Sequence, residues 1–528
     1  MKDMKRIFSF LILLLFIFYF SFAINIFWDT GHYMSYVSIF EGKLPWQSWD
    51  IVRGPVFPMI LFLSNILFGK TTQGILILSF IFYIIMLLVF NKILYGCFEN
   101  CSQKIKINIF IISNAIIILN PIIFGYYHAL LTEFVAMTIS LLMCYLSWKW
   151  LDVDFHDNKK KYLFFSLIFF IGVIFSWHLK QPYVTITLFP LIVSTFISVL
   201  KNRNKYNIIS RLTTIFMCLI GLVISIILWN GFLSSKGIDL NTNRNVTASF
   251  GNQLIIGLNN YEIIENVEKK EIDNSKYLNK KEKQKISKHL DKYSLINIYN
   301  VSDKLVDQSI ILKNNYQNIS TLAAVKFIFT QIFKHPLLVI ESYTSNYLAI
   351  SNLYPKKTND GVSYWIEKDL TLTYCHENCS IATSIASKKS NISYMTDEAY
   401  ARVVNYEQFN DAPLIFRGIL WVLTPFSKIL YQLLMIVLPF ITIASTVTYI
   451  RKNQYNKKVL SLVVILLWYS FLHILVHVAT GACIDRYASP VYITTILGII
   501  LYGYIMLSFR KTKSKKKRSG KNEKRNKR

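Results

Sequence analysis

The chain is 528 residues long, 53% apolar and 15% aromatic, with a formal net charge of +28. Its mean hydropathy of +0.37 and its repeated Ile/Leu/Phe runs of about 18 residues or more exclude a soluble globular protein, because only helices or closed barrels satisfy their backbone within lipid. Nor does the charge point to nucleic acid: twelve Lys/Arg and one Glu from Arg510 onward supply +11, region 232–426 adds only +3 from 22 basic and 19 acidic residues, and most other cations sit in short loops, the positive-inside pattern.

In chain order, ten apolar segments are expected to span, at about 7–27, 75–95, 107–124, 129–150, 162–179, 182–200, 209–231, 427–450, 459–478 and 488–508. The first is too long for a signal peptide and lacks a small-residue cleavage site. Basic residues occupy every second loop: Lys2, Lys5 and Arg6 before the first span, Lys104 and Lys106, Lys159 to Lys161, then Lys201, Arg203, Lys205 and Arg211, then Arg451 and Lys452, and finally the tail. Both termini are therefore expected in the cytoplasm, with the tail attracted to anionic headgroups. The reading is an all-α polytopic membrane protein. It comprises an N-terminal membrane module of about seven helices (1–231) with a polar first loop (28–74), a large extracytoplasmic region (232–426), a C-terminal module of about three helices (427–509) and a basic cytoplasmic tail (510–528).

Two shorter apolar runs are expected to lie at the interface. "GPVFPMILFLSNILFG" is about 16 residues long and carries a Pro pair, and "HPLLVIESYTSNYLAI" contains Glu341 and Asn346, which are costly in lipid. Cys375 and Cys379 in "CHENC" can close a disulfide if that side is oxidising. One Cys pair with one His is weak evidence for zinc.

The extracytoplasmic loops carry the candidate chemistry. Asp29, His32, Tyr33, Asp50 and Arg53 fall in the first polar loop; His128 and Glu133 in "YYHALLTEFVAM"; Lys180 in "SWHLKQPYV"; Arg486 in "DRYASP". A carboxylate at a lipid–water boundary suits a general base acting on a lipid-linked substrate. For Asp29 alone, however, ending a helix is the plainer reading. Arg53, Lys180 and Arg486 on one face suit an anionic headgroup, while snorkelling explains any one of them. No Walker loop, dinucleotide fingerprint, His-Glu-x-x-His motif or nucleophile elbow occurs.

These segments resemble the GT-C superfamily of polytopic glycosyltransferases, especially bacterial members akin to protein O-mannosyltransferases and aminoarabinose transferases. The resemblance rests on "WDTGHYMSYVSIFEGKLPWQ", "RGPVFPMILFLSNILFG", "YYHALLTEFVAM", "GVIFSWHLKQPYVTITLFP", "KHPLLVI" and "DRYASPVY", in family order across most of the chain. It implies a multi-pass cell-membrane enzyme using a polyprenyl-phosphate sugar donor. Transfer to a glycan, lipid or protein acceptor would occur on the extracytoplasmic face, with inversion. It also implies Asp29 as catalytic acid/base and Glu133 as a second acid, with Arg53, Lys180 and Arg486 on the donor phosphate and His32, Tyr33 and His128 lining the site. No cofactor is required, although Asp29 with Asp50 or Glu133 has the donor chemistry for a divalent ion. The rival readings are a transporter or flippase of lipid-linked sugars and a polysaccharide polymerase or ligase.

Overall fold

The computed structural model describes residues 2–22, 28–49, 53–70, 72–99, 101–200, 205–238, 254, 321–334, 336–351, 353, 413–451, 457–480 and 485–526. Among these the chain is helical, without strands. In order, the helices are α1 (Lys2–Tyr19), α2 (Trp28–Phe40), α3 (Val56–Phe68), α4 (Thr72–Cys97), α5 (Gln103–Ile118), α6 (Pro121–Tyr127), α7 (Glu133–Trp150), α8 (Lys159–Leu179), α9 (Thr185–Leu200) and α10 (Lys205–Ser235). They continue as α11 (Thr321–Lys334), α12 (Pro336–Ile350), α13 (Leu414–Arg451), α14 (Lys457–Ala479) and α15 (Ser489–Asn526).

Seven of the described helices are long and apolar enough to cross a membrane: α4, α8, α9 with the short turn before it, α10, α13, α14 and the first part of α15. The other three expected spans take different forms. The segment expected at 107–124 is a helix pair, α5 and α6, bent by 59°; counted as one crossing, it brings the total to eight. The bend falls at Asn120-Pro121, where Pro lacks an N–H and cannot continue the ladder. The Asn120 side chain accepts from the Ile122 and Ile123 amides and starts the new helix. The apolar part of α1 is short, Ser9–Tyr19.

Helix α7, expected as the span 129–150, begins at Glu133 and packs on α4, α9, α14 and α15. Its side chains are buried nearly all the way round, from Glu133 to Trp150. A helix surrounded by helices faces protein rather than lipid, so it can carry Glu133, Thr138, Ser140 and Ser147 where a lipid-facing span would not. The bundle is therefore built around α7.

Helix α3 is 13 residues long, as expected of the Pro-flanked run, with Pro55 before it and Pro58 in its first turn. Helix α12, from the region read as a separate extracytoplasmic unit, is also short but docks on the membrane bundle. Asn346 donates to the Val478 carbonyl (3.0 Å), Tyr347 to that of Met435 (2.7 Å), and Tyr431 to that of Ile350 (2.7 Å). Most of region 232–426, including Cys375 and Cys379, lies outside the described residues.

Candidate functional site

Glu133 opens α7, where the helix dipole favours a carboxylate. Its side chain is 1% exposed and forms an ion pair with Lys180, Nζ to Oε1 3.3 Å. Tyr183 donates to the same oxygen (3.2 Å), and Thr132 donates to Oε2 (3.2 Å). The local sequence explains how Lys180 arrives there. Helix α8 stops at Leu179; Lys180 is extended, at φ −166° and ψ 127°. Pro182 then forces a tight 3₁₀ turn over Gln181–Val184 that presents Lys180 and Tyr183 to α7.

The Lys180 ammonium also lies 4.4 Å from the ring centroid of Tyr487 and 5.3 Å from that of Tyr183, within cation–π range. Tyr487 comes from the 3₁₀ turn Asp485–Ala488 between α14 and α15. The imidazole of His477 stacks on Tyr487 at 4.9 Å and 9°. His473, one turn earlier on α14, bridges the Thr185 hydroxyl (Nδ1, 2.6 Å) and the Tyr487 carbonyl (Nε2, 3.0 Å). His477 is fully buried, and neither ring nitrogen has a hydrogen-bond partner among the described residues.

The first loop reaches the same region by two routes. Near the start of α2, the Thr30 hydroxyl donates to the Leu130 carbonyl (3.0 Å), three residues before Glu133. Farther on, Arg53 donates from Nη1 to the Tyr33 hydroxyl (3.2 Å), and its own carbonyl accepts from the Trp49 indole (3.1 Å). Tyr33 packs on Phe57 (4.8 Å), and Phe57 packs on Phe134 beside Glu133 (5.8 Å). Gly54 explains the close seating of Arg53: a Cβ at this position would overlap the His178 carbonyl. Arg53 is thereby brought beside the end of α8, two residues before Lys180.

The predicted residues divide as follows. Glu133 and Lys180 pair at the start of α7, and Arg53 and Tyr33 bond to each other and reach Phe134 through Phe57. Asp29 and His32 lie on α2, and Arg486 lies in the turn that carries Tyr487; their side chains are outside the described residues, as is Asp50. His128 turns into the bundle. It is fully buried, with Nδ1 3.0 Å from the Phe124 carbonyl and Nε2 3.0 Å from that of Tyr19. Burial holds its imidazole down at about 4, against the pull of those two carbonyls. Glu41, in the same first loop, is bridged by Lys43 (2.7 Å) and Lys70 (2.9 Å), which ties the ends of α2 and α3 together.

Sequence reasoning passed over Tyr183, Tyr487, His473 and His477. The available signal was two His at i, i+4 within an apolar span, "FLHILVH", together with a Tyr in each of the segments that supply Lys180 and Arg486. Among the described residues, no group of three or more His, Cys, Asp or Glu is arranged to hold a metal ion. No protein-family model, curated protein or solved structure matches the chain.

Proposed function

We propose that this chain is a polytopic membrane glycosyltransferase that moves a sugar from a polyprenyl-phosphate donor to an acceptor hydroxyl. The observation that carries the reading is the seating of Lys180. It is a cation 14% exposed, held by Glu133 and Tyr183 and placed over Tyr487, while Gly54, next to Arg53, seats the first loop against the His178 backbone two residues before Lys180. Two cations presented by rigid neighbours are what a phosphate leaving group requires.

In this reading the bond between the anomeric carbon and the phosphate oxygen breaks as the acceptor oxygen attacks from the opposite side. The polyprenyl phosphate departs against Lys180 and Arg53, and the acceptor proton passes to the Asp29 carboxylate. Glu133 is assigned to holding Lys180: with its side chain 1% exposed and committed to three donors, it is poorly placed to take a proton from an acceptor. The bent α5–α6 pair favours the transporter alternative, because discontinuous helices are common in transporters.

A transfer assay distinguishes the two. Full-length protein in nanodiscs is given a panel of synthetic polyprenyl-phosphate sugars together with solubilised cell-envelope glycans, lipids and proteins as acceptors, and release of polyprenyl phosphate is followed. Asp29→Asn is expected to reduce turnover by about 10²–10⁴-fold; undiminished turnover, or none in the wild-type protein with any donor, defeats the proposal.

A further inference from the structure

At the far end of α7 a second charged cluster is built from three helices. Lys149 lies in the last turn of α7, about 24 Å along the helix from Glu133 at 1.5 Å per residue. It therefore stands at the opposite end of the bundle's central helix from the site described above. Lys92 comes from α4 and Lys458 from the start of α14.

The three ammonium groups share two aromatic rings. Tyr145 has Lys92 and Lys149 each 5.6 Å from its centroid. Trp148 has Lys149 at 4.5 Å and Lys458 at 5.8 Å. Both rings are nearly buried, at 9% and 2% exposure. The Trp148 indole is fixed by donating to the Lys458 carbonyl (2.9 Å). Asp152 offsets one charge through Lys458 (2.8 Å). Like charges held this close repel one another, and an anion seated among them would relieve that repulsion.

The neighbouring surface identifies the anion. On α4 the exposed large apolar residues are Ile81, Ile85, Leu88 and Tyr95, and exposed Lys92 falls in the same row. The spacing of 4, 3, 4 and 3 residues defines one helix face. An apolar stripe that ends in a lysine and an aromatic is the profile of a lipid-facing surface reaching headgroup level.

We infer that Lys92, Lys149 and Lys458 form a binding site for the phosphate of an anionic phospholipid headgroup, with an acyl chain lying along the Ile81–Ile85–Leu88 face of α4. A free phosphate ion would use the same cations but would gain nothing from the apolar stripe. The inference is independent of the proposed enzymatic activity.

Native mass spectrometry and thermal melting of the full-length protein test it, with added dioleoylphosphatidylglycerol, dioleoylphosphatidylcholine or inorganic phosphate. The wild-type protein should retain phosphatidylglycerol in preference to phosphatidylcholine by at least about fivefold and melt higher in its presence. Lys149→Gln with Lys458→Gln should abolish the preference, and Lys92→Gln alone should weaken it. A control that neutralises Lys160 and Lys161, the same number of charges in the first turn of α8, should leave it intact. Melting temperature and monodispersity without added lipid report folding, and Lys92, being exposed, is the substitution least prone to disturb it. Equal retention of the two lipids by the wild-type protein, or a preference unchanged in folded variants, overturns the inference. So does inorganic phosphate at millimolar concentration reproducing the shift and displacing the lipid.

Discussion

Removing either partner of the Glu133–Lys180 pair strands the other charge in a largely buried setting, which costs about 3–5 kcal/mol. Glu133→Gln and Lys180→Met should each lower the melting temperature of the purified protein. The double variant Glu133→Leu/Lys180→Met should recover most of that loss, because a well-packed apolar pair can replace a buried ion pair. It should nonetheless fail to transfer sugar, which separates the pair's structural role from its proposed chemical one. His128 gives a pH prediction. Its folded value of about 4 lies below the ordinary 6.5, so the folded state binds fewer protons across that interval. Stability is greatest above pH 6.5 and falls by about 3 kcal/mol as pH drops towards 4. His128→Gln should flatten this part of a melting-temperature profile; an unchanged slope would assign the acid sensitivity elsewhere. His477→Phe keeps the ring on Tyr487 and deletes two nitrogens that have no partner among the described residues. It should leave the melting temperature unchanged or raise it slightly, since burying an unsatisfied polar group costs about 1–3 kcal/mol. At this scale the sequence distinguished Lys180 and Glu133 as costly charges at the ends of apolar runs. It could not show that they pair, nor that His128 turns inward, because 47 residues separate the first two and the acceptors of the third are backbone carbonyls.

Among the elements, the approach of the first loop to α8 depends on one residue. Gly54→Ala would drive a methyl group into the His178 carbonyl, and backbone cannot move aside as a flexible side-chain tip can. The expected result is a loss of about 1–3 kcal/mol together with reduced transfer, as the Arg53 segment is displaced from the end of α8. Full stability and activity in that variant would show that the loop seats differently. The short helix α3 was legible from its length and its prolines, and the break between α8 and α9 from Pro182. Helix α12 was legible as a short element and not as a docked one. Asn346 reads as a reason to avoid lipid, and its actual use is a hydrogen bond to the end of α14. The missing information was tertiary: a polar residue on a short apolar helix marks either water or a backbone partner, and only packing decides which.

For the molecule as a whole, composition was enough to establish a helical chain with multiple candidate membrane spans, and seven of the ten expected segments coincide with helices able to cross. Hydropathy alone does not distinguish a helix that faces lipid from one enclosed by other helices, so the enclosure of α7 was not legible in the sequence. Its buried position gives the bundle two polar ends. One carries the Glu133–Lys180 pair; the other carries three lysines around Tyr145 and Trp148. In the proposed reaction the first of these holds the phosphate of a lipid-linked donor, and equilibrium binding of farnesyl phosphate to the full-length protein in detergent measures that hold. Binding should weaken by at least about tenfold in Lys180→Gln and again in Arg53→Gln, the loss expected for one charge-assisted contact each. Affinity unchanged in both folded variants would mean that neither cation holds the phosphate.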